Sequence, residues 1–225
     1  MNAGIGRRAV AESIGSALLL ASIVGSGIMA ERLAGGNLAL ALLANSLATG
    51  GALLALILTL APISGAHLNP AVTMAAAITG QMRARDAAPY IAAQLAGAVL
   101  GVWLAHLMFE LPILELSERQ RSGLGQWVGE FTATFGLIAV IESGRRCFAA
   151  ALPAAVAAYI VGAYWFTSST SFANPAVTLA RALSDTFAGI GPGNVPAFMA
   201  AQLAGGAAAV TVFRWLYRGD GLAPR

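Results

Sequence analysis

Residues 64–73 read S-G-A-H-L-N-P-A-V-T, and residues 170–178 read T-S-F-A-N-P-A-V-T. Asparagine is a preferred helix N-cap, because its side-chain oxygen accepts from a free backbone N–H of the first turn. Proline suits the first helical position, where the missing N–H has no partner to lose. The two Asn-Pro-Ala triplets therefore predict two helix starts: Asn69, Pro70 and Ala71 in the first, and Asn174, Pro175 and Ala176 in the second.

Both triplets belong to a repeat that extends over most of the chain. Three residue pairs mark it: Glu12 and Glu130, Asn69 and Asn174, and Gln94 and Gln202. Their separations of 118, 105 and 108 residues differ because the loops of the two copies differ in length. We expect a single domain over 1–225, with repeat halves at about 8–109 and 124–217 joined by an outer loop at 110–123.

The composition indicates a protein embedded in lipid. Hydrophobic residues make up 58% of the chain and charged residues 10%, against about 25% charged in soluble domains. A bilayer-spanning helix needs about 20 mainly apolar residues. Six stretches approach that length: 8–29, 38–60, 88–109, 124–141, 151–167 and 195–217. Their continuous hydrophobicity favours helices over the alternating strands of a membrane barrel.

Each half holds three of these stretches, and an odd number makes the second copy enter the membrane from the opposite face. The repeat is therefore inverted. The segments 69–79 and 174–183 are too short to span, and we predict two half-helices that approach the midplane from opposite sides. The expected fold class is an all-α membrane protein with six transmembrane helices and two re-entrant half-helices.

The charges indicate the orientation in the membrane. All thirteen basic residues are arginines. Placing both termini in the cytoplasm puts nine inside and leaves four outside, namely Arg32, Arg119, Arg121 and Arg181, which is the positive-inside bias. Membrane topology thus accounts for the net charge of +3 without a nucleic-acid partner. The single cysteine, Cys147, offers no disulfide or metal cluster, so we expect neither a metal nor a cofactor.

The two triplets with matching flanks, together with Glu12 and Glu130, resemble the aquaporin and glycerol-facilitator family. The resemblance covers roughly 8–217 and implies the aquaporin fold, a homotetramer with one pore per subunit in the cell's inner membrane, and a passive channel rather than an enzyme. It also implies that Glu12 and Glu130 hold the pore loops, while His67 lies beside the first triplet and supports that loop. Inverted-repeat secondary transporters are the alternative class, but they usually place ionisable residues at a central ion site.

The family builds its narrow outer selectivity filter from four positions. Counting 20 residues back from Asn69 gives Thr49, and 12 back from Asn174 gives Gly162. The positions three before and three after Asn174 are Ser171 and Val177, with Phe172 as the alternative to Ser171. Most family members have arginine where this chain has Val177. The resemblance therefore implies a wide, uncharged filter, with a water-selective pore as the alternative.

Val177 with the following T-L-A-R and the stretch S-D-T-F at 184–187 resembles the bacterial branch associated with arsenic resistance. That resemblance implies arsenous acid or methylated arsenicals as solutes, beside glycerol-like polyols and water. Arg181 lies one helical turn beyond Val177, on nearly the same face. It either reaches the outer vestibule or is a surface arginine paired with lipid phosphate or with Asp185.

Overall fold

The computed structural model describes residues 3–218, and Arg225, one of the nine arginines expected inside, lies outside that range. Within it the chain is helical and contains no strand. The helices are α1 (Ile5–Leu33), α2 (Leu38–Ser64), α3 (Pro70–Ile78), α4 (Ala84–Met108), α5 (Leu124–Cys147), α6 (Leu152–Phe166), α7 (Pro175–Arg181) and α8 (Val195–Leu216). Turns of 3-10 helix at Ala149–Ala151 and Pro192–Asn194 precede α6 and α8.

Six of the eight helices are long and apolar enough to cross a membrane; the exceptions are α3 and α7. With 9 and 7 residues respectively, these two reach only about halfway through a hydrocarbon core of about 30 Å. The predicted six spans and two half-helices are therefore confirmed. Large apolar side chains such as Leu58, Leu107 and Trp215 are exposed on the spanning helices, as expected for a surface that lipid covers.

Helix packing repeats between the halves. α1 packs chiefly on α4 and α2, as α5 packs chiefly on α8, and α2 meets α6 where the halves join. A Cβ atom at Gly97 would collide with the carbonyl oxygen of Ser13, and one at Gly205 with that of Phe131. Glycine thus lets α4 approach α1, and α8 approach α5, more closely than any side chain would allow.

The ends of α2 are set by local chemistry and lead directly into the site. Asn37 caps the start, its side chain accepting from Leu40 N at 3.1 Å. Gly65 ends the helix at φ 89°, in the left-handed region that glycine adopts without steric cost. The chain therefore leaves α2 sharply and enters the segment that precedes the first triplet.

Candidate functional site

The first pore loop, residues 64–69, is held from behind by the carboxylate of Glu12 on α1. Glu12 is fully buried. It accepts four hydrogen bonds, from Ser64 Oγ at 2.6 Å, His67 N at 3.0 Å, Leu68 N at 2.6 Å and Gln94 Nε2 at 2.8 Å. Two of these donors are backbone N–H groups of the loop, so the carboxylate fixes the path of the chain.

The second pore loop, residues 169–174, is held in the same way by Glu130 on α5. Glu130 is also fully buried. It accepts from Phe172 N and Ala173 N, each at 2.9 Å, and from Gln202 Nε2 at 2.6 Å. Ionisable groups at membrane depth need such partners. Both glutamates therefore make the contacts that loop support requires.

The carboxylates stabilise backbone conformations that are otherwise unfavourable. Ala66, Leu68, Ser171 and Ala173 have φ values of 48°, 50°, 49° and 47°. Non-glycine residues in the left-handed region cost of order 1–2 kcal/mol each. The N–H···carboxylate bonds of each loop offset this cost, so both loops keep an irregular path that no regular helix could follow.

Both asparagines cap the half-helices as predicted. Asn69 Oδ1 accepts from Ala71 N at 2.8 Å. Asn174 Oδ1 accepts from Ala176 N at 3.0 Å and from Val177 N at 3.3 Å. The acceptor atom of each side chain is therefore turned into its own helix, which turns the NH₂ group the other way.

Each asparagine NH₂ group reaches across to the opposite loop. Asn69 Nδ2 donates to Ala173 O, and Asn174 Nδ2 donates to Leu68 O, both at 2.8 Å. Capping alone predicts that both N–H groups of each amide point at the lumen, because the side-chain oxygen is held on its own helix. The structure corrects this: one N–H joins the two loops, and one remains for the cavity, which both asparagines line.

A cavity lies between the pore loops and the surrounding helices. The lining residues of each helix recur one turn apart, as a single helix face requires. α6 contributes Leu152 to Tyr164, a distance of about 18 Å along its axis. The helix residues are Leu19 and Ile23 (α1), Thr49, Leu53 and Ile57 (α2), Val72 (α3), Leu137, Ile141 and Arg145 (α5), Leu152, Val156, Ile160 and Tyr164 (α6), and Val177 and Arg181 (α7).

The structure brings three of the four expected filter residues to this cavity. Thr49, Ser171 and Val177 all line it, and so does Phe172, the alternative to Ser171. Val177 is 2% exposed and contributes only carbon atoms. The Ser171 hydroxyl is buried without a hydrogen-bond partner. The part of the cavity wall around Val177 therefore offers one hydroxyl without a hydrogen-bond partner, that of Ser171, and Val177 itself contributes no charge.

Gly162 is the exception, because it is not among the residues that line the cavity. It is exposed on the outer side of α6, and nothing lies within 4 Å of a Cβ built on it. The cavity face of α6 carries Ile160 and Tyr164 instead. Tyr164 OH lies 3.2 Å from Thr49 Oγ1. A bulky phenol thus occupies the side of the cavity where a glycine was expected.

Arg181 lines the cavity and is only 2% exposed. Its Nε donates to Ala188 O, while its Nη1 is buried without a partner. The guanidinium carbon lies 3.4 Å from the centroid of the Phe172 ring. Arg181 is therefore not a surface arginine, and no ion pair joins it to Asp185, which accepts from Glu118 N at 3.0 Å.

A second arginine stacks on the same ring. Arg121, in the connection between α4 and α5, has its guanidinium carbon 5.1 Å from the Phe172 centroid. Its Nε donates to Gly189 O at 2.8 Å. Burial, and then the charge of Arg119, lower the pKa of Arg121 to about 10. It therefore stays charged at neutral pH and adds positive potential near Arg181.

His67 lines the cavity beside the first triplet. Its Nδ1 lies 3.1 Å from Thr73 Oγ1, and Thr73 Oγ1 also accepts from Gln94 Nε2 at 2.9 Å. The Thr73 hydroxyl that contacts the ring is thus held by the same Gln94 amide that contacts Glu12. Within residues 3–218, no cluster of three or more His, Cys, Asp or Glu side chains is arranged to hold a metal ion.

Sequence reasoning missed two polar residues of the cavity, Tyr164 and Arg145. Arg145 and Arg146 read as a pair of cytoplasmic charges at the end of α5. In the structure Arg146 pairs with Glu142 at 2.8 Å, whereas Arg145 lines the cavity. The i,i+4 spacing of Glu142 and Arg146 was the available signal, because it assigns Arg146 a partner on its own helix.

Comparisons with known proteins bear on the family and the fold of this chain. The family model described as "Major intrinsic protein" matches residues 2–168. The aquaglyceroporin AqpS of Rhizobium meliloti (strain 1021) is 52% identical over 93% of this chain and 90% of its own. The glycerol uptake facilitator protein of Bacillus subtilis (strain 168) is 28% identical over 56% of this chain and 52% of its own. The X-ray structure of the aquaglyceroporin from Plasmodium falciparum has the same fold, with a TM-score of 0.69 and 22% identity over 96% of this chain and 97% of that one.

Proposed function

Since the chain belongs to the major intrinsic protein family of passive, non-enzymatic membrane channels, we propose that it conducts small uncharged solutes through the cavity between its pore loops. The proposed solutes are water, glycerol-like polyols, and arsenous acid or methylated arsenicals. The observation that carries the proposal is Val177: it lines the cavity at the position where most family members have arginine.

An apolar side chain at this position acts on size and on charge. Arginine would fill part of the cavity and repel cations, whereas valine is short and neutral. Two relatives support a polyol-sized pore by their names, an aquaglyceroporin and a glycerol uptake facilitator. Arsenous acid is a neutral molecule with polyol-like hydroxyls, and its inclusion rests on the resemblance carried by Val177 and residues 178–187.

The filter that we propose is made by Thr49, Ser171, Phe172 and Val177, with Tyr164 in the place first given to Gly162. Its polar side is the Thr49–Tyr164 hydroxyl pair together with Ser171. Its apolar side is Val177. A solute that carries hydroxyl groups on one side and carbon or a bare metalloid on the other fits such an amphipathic ring.

The test is stopped-flow light scattering on proteoliposomes that contain the wild type, Val177→Arg or Val177→Leu. We expect Val177→Arg to lower glycerol and arsenous acid permeability by at least about tenfold, equal to about 1.4 kcal/mol of barrier, and to lower water permeability less. Val177→Leu adds volume without charge and separates the two effects. Water flux without solute flux in the wild type would replace this proposal with a water-selective pore, narrowed by Tyr164 and Phe172.

We also propose a homotetramer in the inner membrane with both termini in the cytoplasm. The nine-to-four distribution of arginines supports the orientation. Cys147, the only cysteine, is exposed at the end of α5 and gives a direct test. A membrane-impermeant maleimide should label it in inside-out vesicles and not in intact spheroplasts; the reverse pattern would invert the topology. Light scattering of the protein in detergent measures the number of subunits.

A further inference from the structure

Arg181 is a buried guanidinium in a cavity that offers it no negative partner. Among residues 3–218, no carboxylate lies within ion-pair distance of it, and the residues that line the cavity include Arg145 and Arg181 but neither Asp nor Glu. An uncompensated charge at membrane depth is expensive. Such a group needs either a local function or a ligand that satisfies it.

The protein positions this guanidinium firmly. Nε donates to Ala188 O, and the guanidinium carbon lies over the Phe172 ring. Phe172 is itself fixed, since its N–H binds Glu130 and its ring makes an edge contact with Phe198 at 5.3 Å between centroids. These contacts leave Nη1 as a fixed hydrogen-bond donor without an acceptor.

A second unsatisfied group lines the same cavity. The Ser171 hydroxyl is buried without a partner, and Ser171 adjoins Phe172, on which Arg181 stacks. A hydroxyl can donate to one oxygen of a ligand while the guanidinium donates to another. Carbon atoms of Val177, Leu19 and Ile23 also line the cavity. The site thus combines one charged donor, one neutral hydroxyl and an apolar wall.

We propose that Arg181 and Ser171 form a binding site for small singly charged oxyanions that carry a short apolar group, such as short-chain monocarboxylates. One carboxylate oxygen accepts from Arg181 Nη1, the other accepts from Ser171 Oγ, and the apolar group lies against Val177. With a carboxylate both the donor and the acceptor of the Arg181 bond are charged, whereas with the amide analogue only the donor is charged, so the anion binds in preference to its uncharged amide analogue. This site deepens the proposed channel function and rests on it.

The test uses acetate and acetamide as probes of equal size at pH 7.5, where acetate is ionised. Each probe is equilibrated on both sides of the proteoliposome, so its own gradient does not drive water, and osmotic water flux is measured against probe concentration. We expect acetate to inhibit wild-type flux at concentrations where acetamide does not. Equal inhibition by both, or none by acetate, overturns the proposal.

Variants assign the effect to this site. Arg181→Gln should lower the apparent affinity for acetate by about tenfold or more, because a charged hydrogen bond contributes about 1.5–3 kcal/mol. Ser171→Ala should lower it less. Arg145→Gln, at the other charged residue of the cavity, is the matched control and should retain the wild-type affinity. Each flux is normalised to that of the same variant without probe. Unchanged acetate affinity in Arg181→Gln contradicts the site.

Binding is also measured without flux. Acetate, but not acetamide, should raise the Tm of the wild type in detergent. This measurement stands if Arg181→Gln does not fold, and a wild type with no acetate-dependent Tm shift overturns the proposal. It also distinguishes the two failures: a protein that passes neither glycerol nor arsenous acid but is stabilised by acetate refutes the channel's proposed solutes and leaves the anion site intact.

Discussion

The two pore loops have the same contacts behind the loop, on the side away from the cavity, and differ in front, where the loop lines the cavity. Behind, Glu12 and Glu130 bind loop N–H groups, and the amides of Gln94 and Gln202 bind those glutamates. In front, Asn69 and Asn174 are shared, but other residues that line the cavity differ between the copies. The lesson is that the residues that hold the backbone are duplicated, whereas only some of the residues that line the cavity are.

Two substitutions at the same separation of 105 residues show the divergence. His67 of the first loop corresponds to Phe172 of the second, and Ala76 of α3 corresponds to Arg181 of α7. Ala76 is buried with Met82 and Tyr90 in an apolar cluster, whereas Arg181 faces the cavity. The half-helix α7 therefore carries a positive side chain at a position where its counterpart α3 has alanine.

The first loop has an additional hydrogen-bonded support, whereas the second loop is supported by ring contacts. Tyr90 OH donates to Ser64 O at 2.8 Å and accepts from Arg8 Nε at 2.6 Å. Arg8 in turn pairs with Asp86 at 3.2 Å, and both are buried. At the second loop the corresponding support is the stacking of Phe172 with Arg181, Arg121 and Phe198.

Removing the shared supports should have the largest effect. Glu12→Ala leaves four donors without their acceptor and Glu130→Ala leaves three, and each unsatisfied buried donor costs about 1–3 kcal/mol. We therefore expect both variants to lose most of their stability, Glu12→Ala more than Glu130→Ala, measured as Tm and as the folded fraction in detergent. Glu118→Ala, at an exposed residue of the outer loop, is the control. A Tm equal to that of the control would show that the carboxylates of Glu12 and Glu130 contribute nothing to stability.

Breaking the bonds between the loops should have an intermediate effect. Asn69→Asp and Asn174→Asp keep a cap oxygen, but each removes one N–H bond between the loops, worth about 0.5–1.5 kcal/mol, and places a carboxylate in the cavity. We expect lower glycerol flux and a cation leak, read as proteoliposome swelling and as the collapse of a potassium diffusion potential. If selectivity is unchanged in both variants, the asparagines do not contact the solute path.

The smallest effect is expected at the corrected filter position. Gly162→Leu should leave water and glycerol permeability unchanged, because its side chain points away from the cavity into open space. Tyr164→Phe is the partner variant: it removes the hydroxyl that faces Thr49 at 3.2 Å and should alter the ratio of glycerol to water flux. A marked fall in flux for Gly162→Leu would mean that α6 presents its other face to the cavity.

The sequence predicted what the repeat duplicates. The capped half-helices at Asn69 and Asn174 follow from matched residues and simple helix chemistry, and the family resemblance pointed to Glu12 and Glu130 as the residues that hold the loops. Six spans followed from hydrophobicity alone. These features depend on local sequence or on pairs of equivalent residues, so no knowledge of helix rotation was needed.

The sequence could not predict which face of α6 meets the cavity. Gly162 was assigned by counting back from Asn174, which assumes a fixed length and path between α6 and α7. Residues 167–174 follow an irregular course with left-handed φ values at Thr170, Ser171 and Ala173, and a shift of two residues turns a helix by about 200°. Tyr164 therefore replaced Gly162 at the cavity. The direction of the Arg181 side chain could not be predicted for a related reason, because it depends on how that side chain packs against Phe172.

The hydrogen bonds between the loops also have a consequence for the order of synthesis. Asn69 and Ala173 are separated by 104 residues, and Asn174 and Leu68 by 106. At a translation rate of about 5–20 residues per second, the amide of Asn69 waits about 5–20 s for its acceptor to be made. During that interval the first half resides in the membrane with its loop incomplete. The bonds that join the two pore loops therefore form only after the second half has been synthesised, and a chain that stops between the halves lacks Ala173 and Asn174 and cannot make them.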